Sequence, residues 1–374
     1  MKPKLLFISP SSPFPARDGK RQRTLGLLLG VLQEYEVDFL ILGSPSDLEL
    51  SSFTTLSGVS VFFIPQEKSG FWSKTIGISY FPNPAKRRQL SEFLSGKSYV
   101  RILCRYAVAA RDLPPGTPFI LDVDDDYSEL MQTKIAQQSS ILKKLRYRQI
   151  FALNRMYYSR ILRRANRLIW VRPQGDRGIA NVLPNLPFQL LFEKELVLQP
   201  AKNQHVLFIG KLSYEPNALG VLWFMEKVWP RLREDLRDVQ LTLISSARPN
   251  PELEALIQSS PGVTLKINVE NLVLAYKNHA ICIVPVFFGG GSNVKLAEAL
   301  LMGRKVISSP FGIRGFEPWV DSGLVHLAIS PEDWKNKIQE LLKEPWEERS
   351  FLQVREEFSI EKWNEDLIRL VNEA

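Results

Sequence analysis

The chain has 374 residues, 45 % of them hydrophobic and 24 % charged, which is enough apolar material for two ordinary cores and more than one core needs. Its longest apolar runs fall well short of the roughly 20 residues that cross a bilayer as a helix, so a helical membrane protein is excluded as a reading, and the expected compartment is the cytoplasm or the inner face of a membrane. The formal net charge is +8, yet between Leu130 and Gly175 there is no acid at all and eleven lysines and arginines, so one segment carries more than the whole-chain excess.

Taken in chain order, strand-like runs at 5–9, 37–42, 59–64, 100–104, 119–121 and 168–171 alternate with helix-like stretches, the clearest at 21–33 and 137–165. A proline-containing stretch of little periodicity, 184–204, reads as the linker. Beyond it the alternation resumes, with strands at 205–209, 239–244, 263–266, 280–284 and 305–308 and helices at 218–233, 251–258 and 294–302. Such alternation predicts two parallel α/β layers, in which ligands sit beyond the carboxyl ends of the strands. The loops after Ser9, Ile209, Ile244 and Val284 are therefore where chemistry is expected. Cys104 and Cys282 lie in strand-like runs and read as buried thiols in a reducing compartment. His205, His279 and His326 lie far apart without metal-ligand spacing, so no metal is expected.

The most informative segment follows Val284. A strand runs into Gly289, Gly290 and Gly291, then Ser292 stands as the expected N-cap, beside Asn293, of a helix of strong formers. Glycines allow close backbone approach, and the amides of a helix start attract anions, so the segment fits a pyrophosphate. Lys295, one turn in, reaches toward the same phosphates, and Glu298 can accept hydrogen bonds from a ribose diol. The plainer alternative is a tight turn with a solvated Glu298.

From Pro285 to Gly315 the order Gly-Gly-Gly-Ser-x-x-Lys-x-x-Glu-Ala, then Met-Gly-Arg-Lys-Val-Ile-Ser-Ser and Gly312 to Gly315, resembles the nucleotide-sugar signature of glycosyltransferase family 4. The run from Phe208 to Asn217 and the stretch from Pro13 to Thr24 are similar to the openings of that family's two domains, and Val182-Leu-Pro-Asn185 fits its domain-crossing element. The resemblance implies an α/β protein of the GT-B fold, two Rossmann-like doubly wound domains with an interdomain cleft. Residues 1–190 would bind the acceptor and 191–357 the nucleotide sugar, and 358–374, with Trp363, would pack back toward the N-terminal domain. It further implies donor contacts from Gly19, Gly210, Asn217, Gly289, Gly290, Gly291, Ser292, Asn293 and Glu298, and catalytic roles for Lys211, Lys295 and Glu298. Lys20, Arg23, Asp124 and Asp125 become acceptor-side candidates. Where the commoner family pattern has a second glutamate, this chain has Gly290.

Asp122-Val-Asp-Asp-Asp126 has the look of a metal-binding Asp-x-Asp, but it follows a strand of the acceptor half, where the resemblance implies metal-independent chemistry. The basic segment 134–172 has three readings. It is a solvated surface helix, or it touches an anionic membrane with help from Tyr147, Phe151, Tyr157 and Tyr158, or it binds nucleic acid, for which no motif is found. The expectation is a hexosyltransferase that moves a sugar from a nucleoside diphosphate donor to a glycan or lipid-linked acceptor, with retention implied by resemblance, with no cofactor, metal or nucleic acid. The alternatives are a non-catalytic sugar-nucleotide-binding partner subunit and a sugar-nucleotide epimerase of the same fold.

Overall fold

A strand that is apolar on both faces must be covered on both faces, and such strands form the middle of parallel sheets. In the computed structural model, which describes residues 2–16, 18–65, 79–124, 127–137, 140–172, 181–191, 198–269, 271–289 and 292–374, this is the fate of nearly every predicted strand. The first sheet is built from Lys4–Ser9 (β1), Glu36–Ile41 (β2), Val59–Phe63 (β3), Arg101–Arg105 (β4), Ile120–Val123 (β5) and Arg167–Trp170 (β6), in the order β3-β2-β1-β4-β5-β6. The second uses Val206–Ile209 (β7), Leu241–Ser245 (β8), Val263–Ile267 (β9), Ile281–Val284 (β10), Lys305–Ser308 (β11) and Val325–Leu327 (β12), in the order β12-β11-β10-β7-β8-β9. All pairings are parallel, β1 with both β2 and β4, and β10 with both β7 and β11. Both sheets thus reverse their strand order between first and fourth strand, the doubly wound pattern whose crevice lies at the carboxyl ends of those two strands.

The chain divides into two units, residues 1–185 with 361–374, and residues 186–360. In the first, Leu6, Ile8, Leu40, Cys104, Leu121 and Trp170 are core residues. In the second, Phe208, Phe224, Trp229, Leu243, Ile283 and Trp334 fill that place. Both cysteines are buried free thiols. The Ile360–Asn372 helix buries Trp363, Leu367, Leu370 and Val371, and it is tied to the first unit by the Trp363 indole donating to the Pro184 carbonyl at 2.7 Å and by Arg101 donating to the Val371 and Asn372 carbonyls. Among the described residues no helix is long and apolar enough to cross a membrane.

The helix expected at 137–165 is Ile141–Arg164, begun by Ser140, whose hydroxyl accepts from the Lys143 amide, and a separate helix, Tyr127–Gln137, precedes it. The helix expected at 218–233 breaks at Val228, where Pro230 opens Trp229–Asp235. Strand β12, three residues long, is too short to announce a period. The Glu215–Lys227 helix lies against the segment leaving β10, and Gly220 permits it: a Cβ there would stand 1.7 Å from the Pro285 carbonyl oxygen. Gly220→Ala is therefore expected to lower stability by ~1–3 kcal/mol, as forced overpacking does, read as a fall in the urea midpoint at unchanged slope.

Candidate functional site

The crevice of the second unit lies where β7 and β10 end. At Gly210 the chain leaves β7, its amide donating to the Ile244 carbonyl at 2.9 Å. A Cβ here would come within 2.9 Å of the Phe208 ring, 3.0 Å of Asn217 Nδ2 and 3.2 Å of Lys295 Nζ, so three side chains converge on a point that only glycine leaves open. Asn217, buried in the first turn of the Glu215–Lys227 helix, donates through Nδ2 to the Lys211 carbonyl at 3.0 Å and accepts Lys295 Nζ on Oδ1 at 2.6 Å. One amide thus fixes the loop that carries Lys211 and the ammonium of Lys295, while the Lys211 side chain itself is exposed. Lys295 enters from the other strand, in the first turn of the Val294–Leu301 helix that follows β10.

The glycine segment before that helix is described in part. Gly289 is buried with φ at +132°, a conformation that side-chain-bearing residues avoid, and its carbonyl accepts from Arg314 Nη2 at 3.3 Å. Gly290 and Gly291 lie outside the described residues. Ser292 is not the N-cap. Asn293 occupies that position without a side-chain cap bond, and its Nδ2 donates to the Gly312 carbonyl at 2.7 Å.

Two titratable groups follow from this packing. Loss of water pushes the half-buried Lys295 ammonium down to about 8, against the opposing pull of Glu298. Glu298 is buried and accepts the Tyr276 hydroxyl on Oε2 at 2.9 Å. Burial, reinforced by the Glu298 charge, raises the Tyr276 hydroxyl well above its ordinary range, so it stays a proton donor to the carboxylate. Glu298 is therefore neither the solvated helix residue of the plainer reading nor open on all sides, since one oxygen is committed to a buried phenol. Tyr276 comes from the short Leu272–Lys277 helix, and neither it nor Arg314 carried a signal in the sequence beyond the glycines that flank Arg314.

The corresponding crevice of the first unit, where β1 and β4 end, is filled by charge. Gly19 opens the Gly19–Val31 helix, capped by the Asp18 carboxylate accepting from the Arg21 amide, and Lys20 is exposed with Nζ 5.7 Å from the Tyr106 ring. Arg23 does not face outward as an acceptor-side cation. It is buried, donates to both oxygens of Asp122 at 2.6–3.1 Å, and reaches the Leu183 carbonyl and Asn185 Oδ1 at 3.0 Å. Arg105, also buried, bridges Asp122 and Asp124, both at 2.6 Å, and Asn185 Nδ2 donates to Asp124 at 3.0 Å. Burial alone would raise the Asp124 carboxyl, but Arg105 and Arg23 outweigh it and hold the group at about 2. Asp122 is thereby shared by two guanidinium groups, Asp124 is held by Arg105, Asn185 and the Tyr106 hydroxyl, and Asp125 lies outside the described residues. Among the described residues no three His, Cys, Asp or Glu side chains gather as a metal site would need.

Residues 203–344, which hold the whole of the second crevice, match the family model described as glycosyl transferases group 1. Over 332 residues the chain is 23 % identical to an uncharacterised 44.6 kDa protein in the cps region of Klebsiella pneumoniae, covering 83 % of this chain and 84 % of that protein. Among solved structures it is similar to a variant of S. aureus TarM in complex with fondaparinux, alpha-GlcNAc-glycerol and UDP, with a TM-score of 0.65, 9 % identity and 100 % of both chains covered. It is also similar to a putative UDP-N-acetylglucosamine 2-epimerase from Listeria monocytogenes, with a TM-score of 0.58, 13 % identity and 98 % and 94 % of the two chains covered. At these identities the structural likenesses speak for the fold.

Proposed function

We propose that the chain, which has the GT-B fold and whose residues 203–344 match the glycosyl transferases group 1 family, transfers a hexose from a nucleoside diphosphate sugar to a glycan or lipid-linked acceptor with retention of anomeric configuration. The observation that carries this reading is the convergence of Gly210, Asn217 and Lys295 at the strand-order reversal of the second sheet, with Lys295 three residues before Glu298 along one helix face. As the glycosidic bond breaks, negative charge grows on the departing diphosphate. Lys295, held in place by Asn217 before substrate arrives, meets that charge without reorganising, and Lys211 supplies a second cation from the Gly210 loop. The start of the Val294–Leu301 helix is the natural place for the remaining diphosphate contacts, and Arg314 holds the Gly289 carbonyl in front of it. Glu298, oriented by Tyr276, receives the ribose hydroxyls.

The test is a panel of nucleoside diphosphate sugars with acceptor glycans and lipid extracts. Release of nucleoside diphosphate together with a labelled acceptor supports transfer. A thermal shift with no release makes the chain a binder, and a changed donor sugar with no transfer makes it an epimerase.

A pH dependence follows from Lys295. Its ammonium is the form that attracts diphosphate, and it is lost as pH rises through about 8. Nucleoside diphosphate affinity is expected to fall across that point, although the ligand itself is already fully ionised there. The unliganded fold responds with the opposite sign. Between about 8 and the ordinary lysine value near 10.4 the unfolded chain binds more protons at this site, so the site's contribution to stability grows with pH. Calorimetric titrations from acid to alkaline pH check the first, and Lys295→Arg should flatten the profile.

A further inference from the structure

The Ile141–Arg164 helix of the first unit has two unlike faces. On one, Asn154, Tyr158 and Ile161 are buried. Asn154 Oδ1 there accepts the Ser79 amide at 2.8 Å, and Arg164 donates to the Leu113 and Pro114 carbonyls at 3.1 Å. On the other, helical spacing lines up Ile141, Leu142, Leu145, Ala152, Leu153 and Met156. Five of these are among the fifteen large hydrophobic residues exposed in the described chain, Ile141 at 83 %, Leu142 at 81 % and Leu145 at 54 % foremost. A soluble surface has no reason to gather a third of its exposed large apolar side chains on one helix.

The flanks of the same face are cationic. Arg148 and Arg155 fall on one side of the apolar row and Arg146 on the other, while Arg160 and Arg163 stand in line with the row beyond Met156 and close its far end with charge. The helix contains eight lysines and arginines and no acid. Of the aromatic residues expected to contribute, Tyr158 is buried against Tyr80 while Tyr147, Phe151 and Tyr157 are half-buried, and the most exposed apolar groups are aliphatic and stand at the start of the helix.

We propose that this face is a docking surface for an anionic lipid bilayer, the helix lying in the headgroup plane with Ile141, Leu142 and Leu145 entering the acyl boundary and the flanking arginines engaging phosphates. A lipid surface is the occupant that satisfies both chemistries at once, since it offers negative charge above and hydrocarbon below. A phosphodiester chain has no use for an aliphatic row, and a second copy of the same face would bring eight cations against eight. This inference stands on the surface alone and does not depend on the chemistry of the second unit.

The full chain is sedimented with vesicles of phosphatidylcholine and with vesicles of phosphatidylcholine and phosphatidylglycerol at about two to one. Binding is expected to the mixed vesicles only, and to weaken with added salt. Leu142→Gln with Leu145→Gln should weaken it by roughly tenfold or more with the salt dependence kept, whereas Arg148→Gln with Arg155→Gln should weaken it and flatten the salt dependence. Because all four side chains are exposed, melting temperatures should match the parent and exclude misfolding as the cause. No sedimentation with either vesicle overturns the proposal, as does equal sedimentation of the leucine variant. So does tighter retention by random DNA or an acidic protein, or a dimer that the leucine variant dissolves.

Discussion

Lys295→Ala is expected to lower sugar transfer by on the order of 10²–10³ in turnover, with a smaller loss in donor binding, because in the proposed reaction the ammonium would meet charge that is fully developed only as the diphosphate departs. Steady-state kinetics with saturating donor separate the two effects. The magnitude rests on preorganisation: Asn217 holds Nζ at 2.6 Å, so the cation needs no search in the transition state. Asn217→Ala supplies the complementary measurement. It leaves the charge in place but frees it and the Lys211 loop together, so turnover should fall by less than in Lys295→Ala, and the pH profile should move toward higher values as the lysine regains water. Equal activity of Lys295→Ala and the parent would remove the crevice of the second sheet from the chemistry.

The largest effect on stability is expected at Asp122, which has no exposed surface and is shared by two guanidinium groups that are themselves buried. Asp122→Ala leaves Arg23 and Arg105 without their common counter-charge and should cost ~3–5 kcal/mol, the range for breaking a buried ion pair from one side. Urea unfolding followed by tryptophan fluorescence checks it, and Trp170, on the strand next to that of Asp122, reports from the same unit. A loss below ~1 kcal/mol would mean that water or rearrangement supplies the missing charge. The same network shows what engages Asp122 and Asp124, the two described carboxylates of that acidic run. Asp122 already has a cation from the opening helix and one from β4, and Asp124 shares the latter.

The sheet architecture was legible because interior parallel strands write themselves as unbroken apolar runs, as at Leu5, Leu6, Phe7 and Ile8 or at Ile281 to Val284. The break inside the helix expected at 218–233 was less so, since Val228 interrupts a stretch whose composition favours helix on both sides. In the crevice of the second unit, the positions that must be bare, Gly210 and Gly289, could be picked out from the strand-to-helix setting. What holds the functional groups there could not. Asn217 and Lys295 are 78 residues apart, and Tyr276 meets Glu298 across 22, distances over which local pattern carries no information. Arg23 is the sharper lesson, because a cation in a loop-to-helix stretch reads as solvated until the fold brings Asp122, 99 residues away, against it.

The first unit is completed by residues 361–374, which are made after every residue of the second. During synthesis the second unit has its entire chain before the first has its closing helix, and until then the surface awaiting Trp363, Leu367 and Val371 stays wet. Removing residues 361–374 is therefore expected to injure the unit that was translated first and to spare the one that precedes the cut in sequence.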